Sequence, residues 1–299
     1  MRSEKRLKSI SFCAVIVLFY SAYAMAGTWT TLDMPEGRGS TRIEGIDGSN
    51  LVGMYEDGSY SYHGVLYDGA NWTTLDKPGA SRTDISGIDG SNLVGMYQDV
   101  SGFHSFLYDR TTWTTLGFPG AIGGTYVSGI SGSNIVGTHN EAYGRSHGFL
   151  YDGTTWTNLD FPGASNTALN GIDGGNLVGS YSDALGDHGV LYDGITWTTL
   201  DMPGAIRTYI NGIDGSNLVG YYQDAQSPYH YHGFLYNGTN WTTLDFPGAT
   251  ATYISGIDGG NLVGMYQNGS GSHGFIYTIP EPATLLLLGF GLAIAAKRR

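Results

Sequence analysis

The 299-residue chain is poor in cysteine and in helical periodicity, and each shortage narrows the class of protein. Its single cysteine, Cys13, precedes residues 27–278, so that long region holds no thiol and no internal disulfide. Before the extreme C-terminus, no window of ~10 residues or more carries apolar residues at the helical period. Helical crossovers between parallel strands are therefore not expected, and any sheet in this chain should be antiparallel.

Basic side chains are also scarce. Residues 27–278 hold seven Lys and Arg against 24 Asp and Glu, a net charge of −17. Proteins bind phosphate backbones through clustered Lys and Arg, so nucleic acid is excluded as a partner, while cations, neutral glycans and basic surfaces stay compatible. The chain has no Asp-x-Asp-x-Asp-Gly, HExxH or Gly-x-Ser-x-Gly motif, and we therefore expect no cofactor, no metal site and no catalytic residue.

What the chain does contain is one unit repeated six times, at steps of 41 to 44 residues. The repeats are marked by Trp29, Trp72, Trp113, Trp156, Trp197 and Trp241. Each unit holds four short runs rich in Ile, Val, Thr, Tyr, Phe and Trp, separated by Asp-Gly or Asn-Gly turns. Such runs are typical of strands joined by hairpins. Repeats of about 40–45 residues with four strands each predict an all-β fold, a six-bladed β-propeller of four-stranded antiparallel blades.

The order of the strands within a blade follows from their side chains. The run ending in Ser-Gly-Ile has the smallest residues and suits the crowded centre, followed by Leu-Val-Gly-Met-Tyr, His-Gly-Phe-Leu-Tyr and an outer Trp-Thr-Thr-Leu. The repeat region begins with a Trp strand at residues 29–32 and ends with a third strand at residues 273–277. These two strands should pair and close the ring, because closure removes exposed sheet edges.

The two ends of the chain have the features of targeting segments. Residues 1–26 combine a basic start, an apolar run at 10–20 and a small-x-small site at 24–26, which predicts a secretory signal peptide. Residues 279–299 combine Pro280, Glu281 and Pro282 with an apolar run at 283–296 and a basic end. That run is short for a membrane span. The predicted domains are therefore 1–26, 27–278 and 279–299.

The C-terminal pattern closely resembles the PEP-CTERM sorting signal. The resemblance implies an exopolysaccharide-producing bacterium whose exosortase removes the tail during export. The chain would then be anchored briefly in the inner membrane and later reach the cell surface or extracellular matrix. The repeats themselves resemble HAF-type extracellular repeats, as in His147-Gly-Phe-Leu-Tyr-Asp-Gly153 and Leu159-Asp-Phe-Pro-Gly-Ala164. That resemblance implies an extracellular location and a repeat architecture, but no catalytic residues.

Repeated polar residues have structural interpretations. One histidine opens the third strand of every blade, and equivalent positions on radiating blades lie far apart, so we expect one structural hydrogen bond per blade. These residues are His63, His104, His147, His188, His232 and His273. Aspartates in the first hairpin and after the Trp strand are expected to stabilise turns. The repeated aromatic rings are expected to pack between blades.

Residues that break the repeat are more informative. Loops between second and third strands vary in length and share one face with the connections between blades. Variable loops on a rigid scaffold commonly carry function. The longest, residues 223–231, concentrates Tyr229, His230 and Tyr231, which we predict to be a binding patch for sugar rings. The alternative is that these rings cover the blade edge.

Three functional hypotheses remain. The sorting tail and acidic surface favour a non-catalytic exported module that binds matrix polysaccharide or a surface protein. A secreted glycan hydrolase or lyase is the alternative, since glycosidases use paired carboxylates, and five loop residues supply candidates: Asp57, Asp99, Glu141, Asp183 and Asp224. Because they recur in five blades, they are more typical of loop chemistry. A purely structural surface component is the third.

Overall fold

A computed structural model describes residues 27–38, 40–141, 144–225 and 230–280. They form six four-stranded antiparallel sheets, which confirms the predicted all-β six-bladed propeller. Gly27–Ile279 is one compact unit. Within the described ranges, no helix has both the length and the apolar character needed to cross a membrane.

Each blade uses the four runs in the predicted order. The inner strands are β2 (Thr41–Asp47), β6 (Arg82–Asp89), β10 (Thr125–Ser131), β14 (Asn166–Asp173), β18 (Ala205–Asp214) and β22 (Ala251–Asp258). The second strands are β3 (Asn50–Glu56), β7 (Asn92–Asp99), β11 (Asn134–Asn140), β15 (Asn176–Ser182), β19 (Asn217–Asp224) and β23 (Asn261–Asn268). The third strands are β4 (Tyr62–Tyr67), β8 (Gly102–Tyr108), β12 (Ser146–Tyr151), β16 (Asp187–Tyr192), β20 (Tyr231–Tyr236) and β24 (Gly271–Thr278). The outer strands are β5 (Trp72–Thr74), β9 (Trp113–Leu116), β13 (Trp156–Asn158), β17 (Trp197–Thr199), β21 (Trp241–Thr243) and β1 (Thr28–Thr31).

Blades 1 to 5 begin at β2, β6, β10, β14 and β18, and blade 6 combines β22, β23 and β24 with β1. The first strand of the repeat region therefore closes the ring, as predicted. Trp29 pairs with Tyr277 across β1 and β24, and their ring centroids are 4.5 Å apart. Asp33 completes the junction, because its carboxylate accepts from the backbone N–H of Gly274 at 3.2 Å and lies 2.8 Å from Nδ1 of His273.

The inner strands crowd one another around the axis. A Cβ placed on Gly45 would lie 3.2 Å from the Cα of Gly87 in the next blade, tighter than ordinary contact. Gly212 and Gly256 meet in the same way at 3.1 Å. Only glycine allows backbones to approach so closely, which explains the Gly in every inner strand and keeps the channel narrow.

Apolar side chains fill the space between neighbouring blades. Val52 of blade 1, for example, is fully buried against Ile85, Leu93 and Phe106 of blade 2. The tryptophans lie further out and contact the aromatic residue opposite on the third strand of their own blade, as Trp113 does with Tyr108 at 4.2 Å. The predicted packing between blades is thus carried mainly by aliphatic residues and Phe, while Trp also packs within its blade.

The propeller has two unlike faces. One face, called here the hairpin face, holds the tight turns between first and second strands and between third and outer strands. The opposite face, called here the loop face, holds the connections between second and third strands and those between blades. The chain enters every inner strand from the loop face, so residues early in those strands lie near that opening of the central channel.

Candidate binding site at the mouth of the central channel

One residue of each inner strand projects towards the channel because the strand is bulged. In every blade the pairing between first and second strands skips one position, as between Ile43 and Gly45 in blade 1. A bulge leaves the skipped residue unpaired and re-aims its side chain. The skipped residues form a polar ring made of Glu44, Ser86, Ser128, Asn170, Asn211 and Ser255.

Above this polar ring, towards the loop face, lies a cavity of about 450 Å³. Its remaining walls come from Tyr221, Tyr253 and Met265, all contributed by blades 5 and 6. This volume lies within the ~300–1,000 Å³ typical of small-molecule sites. The cavity therefore combines a polar floor that runs round the whole axis with an aromatic wall on one side only.

The aromatic wall belongs to a cluster of four tyrosines, called here the tyrosine cluster: Tyr209, Tyr221, Tyr231 and Tyr253. Tyr221 lies at its centre, 4.9 Å from Tyr209, 5.0 Å from Tyr253 and 5.6 Å from Tyr231, measured between ring centroids. Tyr231 also contacts Tyr253 at 5.3 Å. All four rings are half-buried, so they keep exposed surface at the channel mouth.

A polar network anchors the cluster at its outer edge. The hydroxyl of Tyr209 donates to Oδ2 of Asp187 at 2.6 Å, and the Ser182 hydroxyl donates to the other carboxylate oxygen at 2.7 Å. Arg207 lies 3.6 Å from the same carboxylate. Burial, followed by the bond to Asp187, raises the pKa of the Tyr209 phenol. This network fixes one ring of the cluster in place, which favours a preformed surface.

Burial dominates the electrostatics of the cavity. It raises the pKa of the Glu44 carboxyl, although the positive charge of Arg42 and the nearby Ser255 hydroxyl partly offset the effect. Burial also raises the pKa of Tyr221 to about 12, and it raises that of Tyr253. The two phenols are thus neutral hydrogen-bonding groups at physiological pH, and the charge on Glu44 is disfavoured.

The structure describes two of the three residues predicted as a binding patch. Tyr229 lies outside the described residues. His230 is exposed on the loop face, and Tyr231 joins the tyrosine cluster through Tyr221 and Tyr253. The binding role of these residues stays a prediction.

The loop face carries further exposed apolar side chains at its loop tips. Tyr60 of blade 1 is 65% exposed, Val100 of blade 2 is fully exposed, and Leu185 of blade 4 is 86% exposed. Arg38 covers the Tyr60 ring, and the Arg82 guanidinium lies 4.4 Å from the ring centroid of Tyr62 while bonding to Asp84. These residues are spread over several blades, whereas the tyrosine cluster is a single contiguous surface.

The repeated histidines make the structural contacts expected of them, and more. In five blades Nδ1 lies 2.7–2.8 Å from the aspartate that follows the outer strand, giving the pairs His63–Asp76, His147–Asp160, His188–Asp201, His232–Asp245 and His273–Asp33. The same aspartate accepts the backbone N–H of the glycine after the histidine, at 3.0–3.2 Å. These aspartates thus join third and outer strands rather than only stabilising turns.

Blade 2 departs from this arrangement, because Gly117 stands where the other blades have aspartate. His104 is left with Asp99 at 3.2 Å and the Ser101 hydroxyl at 2.8 Å, both at Nε2. No group of three or more His, Cys, Asp or Glu side chains suited to a metal ion lies in the described part of the chain.

The first-hairpin aspartates connect neighbouring blades. Asp47 accepts the backbone N–H of Gly90 in blade 2 at 2.7 Å, and Asp258 of blade 6 accepts that of Gly48 in blade 1 at 2.6 Å. Asp89, Asp173 and Asp214 make the same bond to Gly132, Gly215 and Gly259. The expected turn role is therefore incomplete, since these carboxylates also tie five of the six blade junctions at the hairpin face.

The five loop carboxylates considered for hydrolysis are each engaged inside one blade. Asp57, Asp99, Glu141, Asp183 and Asp224 lie 3.2–3.6 Å from Nε2 of the local histidine. Hydrogen bonds from the Ser101 hydroxyl and backbone lower the pKa of Asp99 to about 2, and a bond from the Ser61 backbone lowers that of Asp57. Stabilised anions of this kind are poor proton donors.

The sequence comparisons concern the end of the chain. Residues 278–299 match the PEP-CTERM protein-sorting motif. The expected sorting signal is confirmed: the chain carries a signal for export and for exosortase processing at the membrane. Of Pro280, Glu281 and Pro282, only Pro280 lies within the described residues, and the predicted signal peptide lies outside them. No curated protein sequence matches the chain.

Solved structures share the fold at low sequence identity. SapL1 lectin in complex with alpha methyl fucoside matches with a TM-score of 0.52 and 18% identity, over 82% of this chain and 99% of the lectin. A Trypanosoma rangeli sialidase mutant displaying trans-sialidase activity matches with a TM-score of 0.51 and 10% identity, over 87% of this chain and 60% of the sialidase. TolB from Acinetobacter baumannii matches with a TM-score of 0.51 and 14% identity, over 81% of this chain and 64% of TolB. These likenesses show the propeller fold alone.

Sequence reasoning missed Glu44, Tyr221 and Tyr253. Tyr221 and Tyr253 lie in register on strands, so they looked like packing residues, and the bulge that exposes Glu44 has no clear sequence mark. One signal was available: the position before each inner Gly-Ile pair is Ser or Asn in five blades and Glu in one. A lone acid in an otherwise neutral repeated position indicates a functional departure.

Proposed function

We propose that this exported propeller is a non-catalytic glycan-binding module that works through its loop face. A single observation carries the proposal: the tyrosine cluster breaks the six-fold repeat at the channel mouth. Blades 5 and 6 supply all four rings, whereas Ser180 and Thr138 occupy the position of Tyr221 in blades 4 and 3. The other residues aligned with Tyr221 are Met54, Met96 and Met265, so among the six blades this position is aromatic in blade 5 alone.

Half-exposed tyrosines suit carbohydrate for physical reasons. A pyranose ring presents patches of C–H groups that stack on aromatic faces, and its hydroxyls bond to polar groups at the rim. Tyr231 supplies an accessible face, and Asp187 holds Tyr209 so that little conformational entropy is lost on binding. The negative net charge of the repeat region favours neutral sugars over acidic ones.

We place the ligand in the extracellular matrix of an exopolysaccharide-producing bacterium. Support comes from the PEP-CTERM signal at residues 278–299. The resemblance of the repeats to HAF-type extracellular repeats stays an expectation from their sequence. SapL1, which shares the fold, is a lectin in complex with a fucoside. Polysaccharide from the matrix of such a bacterium is thus the first ligand to test, with a cell-surface protein as the second.

The test replaces the predicted aromatic patch. We expect the double variant Tyr229→Ala and Tyr231→Ala to lose about tenfold in retention on matrix polysaccharide, because stacking surface is removed. The melting temperature should change little. Tyr60→Ala is the matched control, since it removes an exposed tyrosine from the same face and should leave retention unchanged.

Two outcomes would contradict the proposal. Equal retention by the double variant would exclude the patch as a binding site. A large fall in melting temperature with normal retention per folded molecule would assign the rings to packing instead.

A hydrolase on the same scaffold is the second candidate, favoured by Glu44. Burial raises the pKa of this carboxyl, and general acids in glycosidases are tuned in that way. Measuring released reducing ends alongside retention separates the two functions. Release that disappears in Glu44→Gln would favour the hydrolase, and retention without release favours the binding module.

A further inference from the structure

We propose that the cavity at the channel mouth binds the terminal residue of a neutral glycan chain end-on. This inference rests on the proposed function and adds which part of the polymer is recognised. The tyrosine cluster would then receive the sugar units next to the end, while the polar ring contacts the end itself.

The cavity is a blind pocket for a sugar. Below the polar ring the channel is lined by the six closely packed glycines and then by six isoleucines, and the free space there is about 90 Å³. The approach of Gly45 to Gly87 and of Gly212 to Gly256 fixes this constriction in the backbone itself. A polymer entering from the loop face therefore has to stop at the polar ring, and only a chain end can do so.

The floor and walls carry polar groups without partners. The hydroxyls of Ser86 and Ser128 have no hydrogen-bond partner among the described residues, and the same holds for the phenol groups of Tyr221 and Tyr253. Asn170 and Asn211 are partly used, since their amide groups donate to the backbone carbonyls of Ile210 and Ile254. Partly buried hydroxyls that lack partners are suited to bond the hydroxyls of an incoming sugar.

The lining selects against acidic sugars. Among the residues that line the cavity, none is Lys, Arg or His, and Glu44 is the one ionisable carboxyl. A uronate placed here would lose its hydration, and the nearby cation, Arg42, does not line the cavity and already acts on Glu44. A neutral terminal pyranose meets hydroxyl, amide and carboxyl groups and the Tyr253 ring instead.

The experiment varies the number of chain ends at constant mass. Matrix polysaccharide that the protein retains is sheared to about one tenth of its mean length, and binding capacity per milligram is measured for both samples with the full purified protein. End-on binding predicts about a tenfold rise in capacity, following the number of ends. Unchanged capacity would overturn the inference while leaving glycan binding intact.

Variants test the pocket independently. Ser128→Leu projects into the cavity from blade 3, and Ser86→Leu does so from blade 2; each should weaken binding at least about tenfold with an unchanged melting temperature. Ser133→Leu, on the hairpin face of the same blade as Ser128, is the matched control and should bind normally. Normal binding by both cavity variants would overturn the inference.

The outcomes separate the two proposals. No retention by the unaltered protein removes the proposed function itself. Retention that depends on Tyr231 but not on Ser128 or Ser86 keeps the function and removes the pocket. Tighter binding of fragments that end in uronic acid than of neutral ones overturns the neutral assignment.

Discussion

The hairpin face and the loop face are built from the same six repeats, but they differ in regularity. At the hairpin face the same bonds recur: five aspartates tie neighbouring blades, and the third-strand tyrosine hydroxyl donates to a turn carbonyl at 2.8–2.9 Å in five blades. At the loop face the His–Asp pairs also recur in five blades, but the connections between second and third strands differ in length and sequence, and the tyrosine cluster occurs once. The repeated contacts thus hold the ring together, whereas residues that break the repeat form the exposed surface available for recognition.

The strongest test of this division opens the ring. Deleting residues 27–33 removes β1, the burial of Trp29 against Phe246, Phe275 and Tyr277, and the bond between Asp33 and His273. We expect the melting temperature to fall by about 10 °C or more, because a large aromatic side chain is lost and a sheet edge is exposed. Circular dichroism against temperature gives the value.

Ile195→Ala serves as the control for that deletion, since this side chain is 89% exposed on the hairpin face. It should leave the melting temperature almost unchanged. A deletion variant that melts like the intact protein would show that closure contributes little to stability.

A pH series tests the loop-face side of the blades, where the histidines lie. Burial lowers the pKa of His63 and His188, but the hydrogen bonds and charges of Asp76 and Asp201, then of Asp57 and Asp183, outweigh it and raise the pKa. Their contribution to stability is complete below the unfolded pKa of ~6.5 and disappears as pH rises through the higher folded pKa. We expect the melting temperature to be higher at pH 5.5 than at pH 8.5, by on the order of 2 °C.

The double variant Asp76→Asn and Asp201→Asn should flatten this slope, because the neutral amides no longer attract the imidazolium. Hydrogen exchange at both pH values locates the effect. After correction for the intrinsic, base-catalysed exchange rate, lower protection at high pH is expected at the starts of β4 and β16 and not in the first hairpins. A melting temperature that rises from pH 5.5 to 8.5 would contradict the assignment.

The smallest effect is expected from restoring the missing aspartate of blade 2. Gly117→Asp supplies the carboxylate that His104 lacks, and a Cβ at this position meets no atom within 4 Å. Gly117 is exposed, so the added pair is screened by solvent and should raise the melting temperature by only about 1 °C. Gly117→Asn, which has the same shape without the charge, should give less. A fall for Asp would show that blade 2 has its own geometry.

Much of the fold could be predicted because the same sequence pattern occurs six times. Six tryptophans at regular steps gave the number of blades, and the split of one hairpin between residues 29–32 and 273–277 gave the closure. The pairing of His63 with Asp76 was missed although it has a sequence mark. In blade 2 the glycine after the histidine and the later aspartate are both absent, replaced by Ser105 and Gly117.

The candidate site was harder to predict, because it depends on backbone geometry. The β-bulge at Glu44 turns this side chain towards the channel, and no residue in the strand predicts the bulge. Tyr209, Tyr221 and Tyr253 come from three strands of two blades, and their contact arises only when the blades pack. Tyr231 was the one member that sequence irregularity singled out.

Pairing of β1 with β24 has a consequence for access to the channel mouth. Gly27 and Ile279 both lie at the hairpin face, where the Ile279 backbone N–H donates to the Gly260 carbonyl at 2.9 Å. The chain thus leaves the propeller from the side opposite the tyrosine cluster. An attachment made at Ile279 therefore does not block the channel mouth.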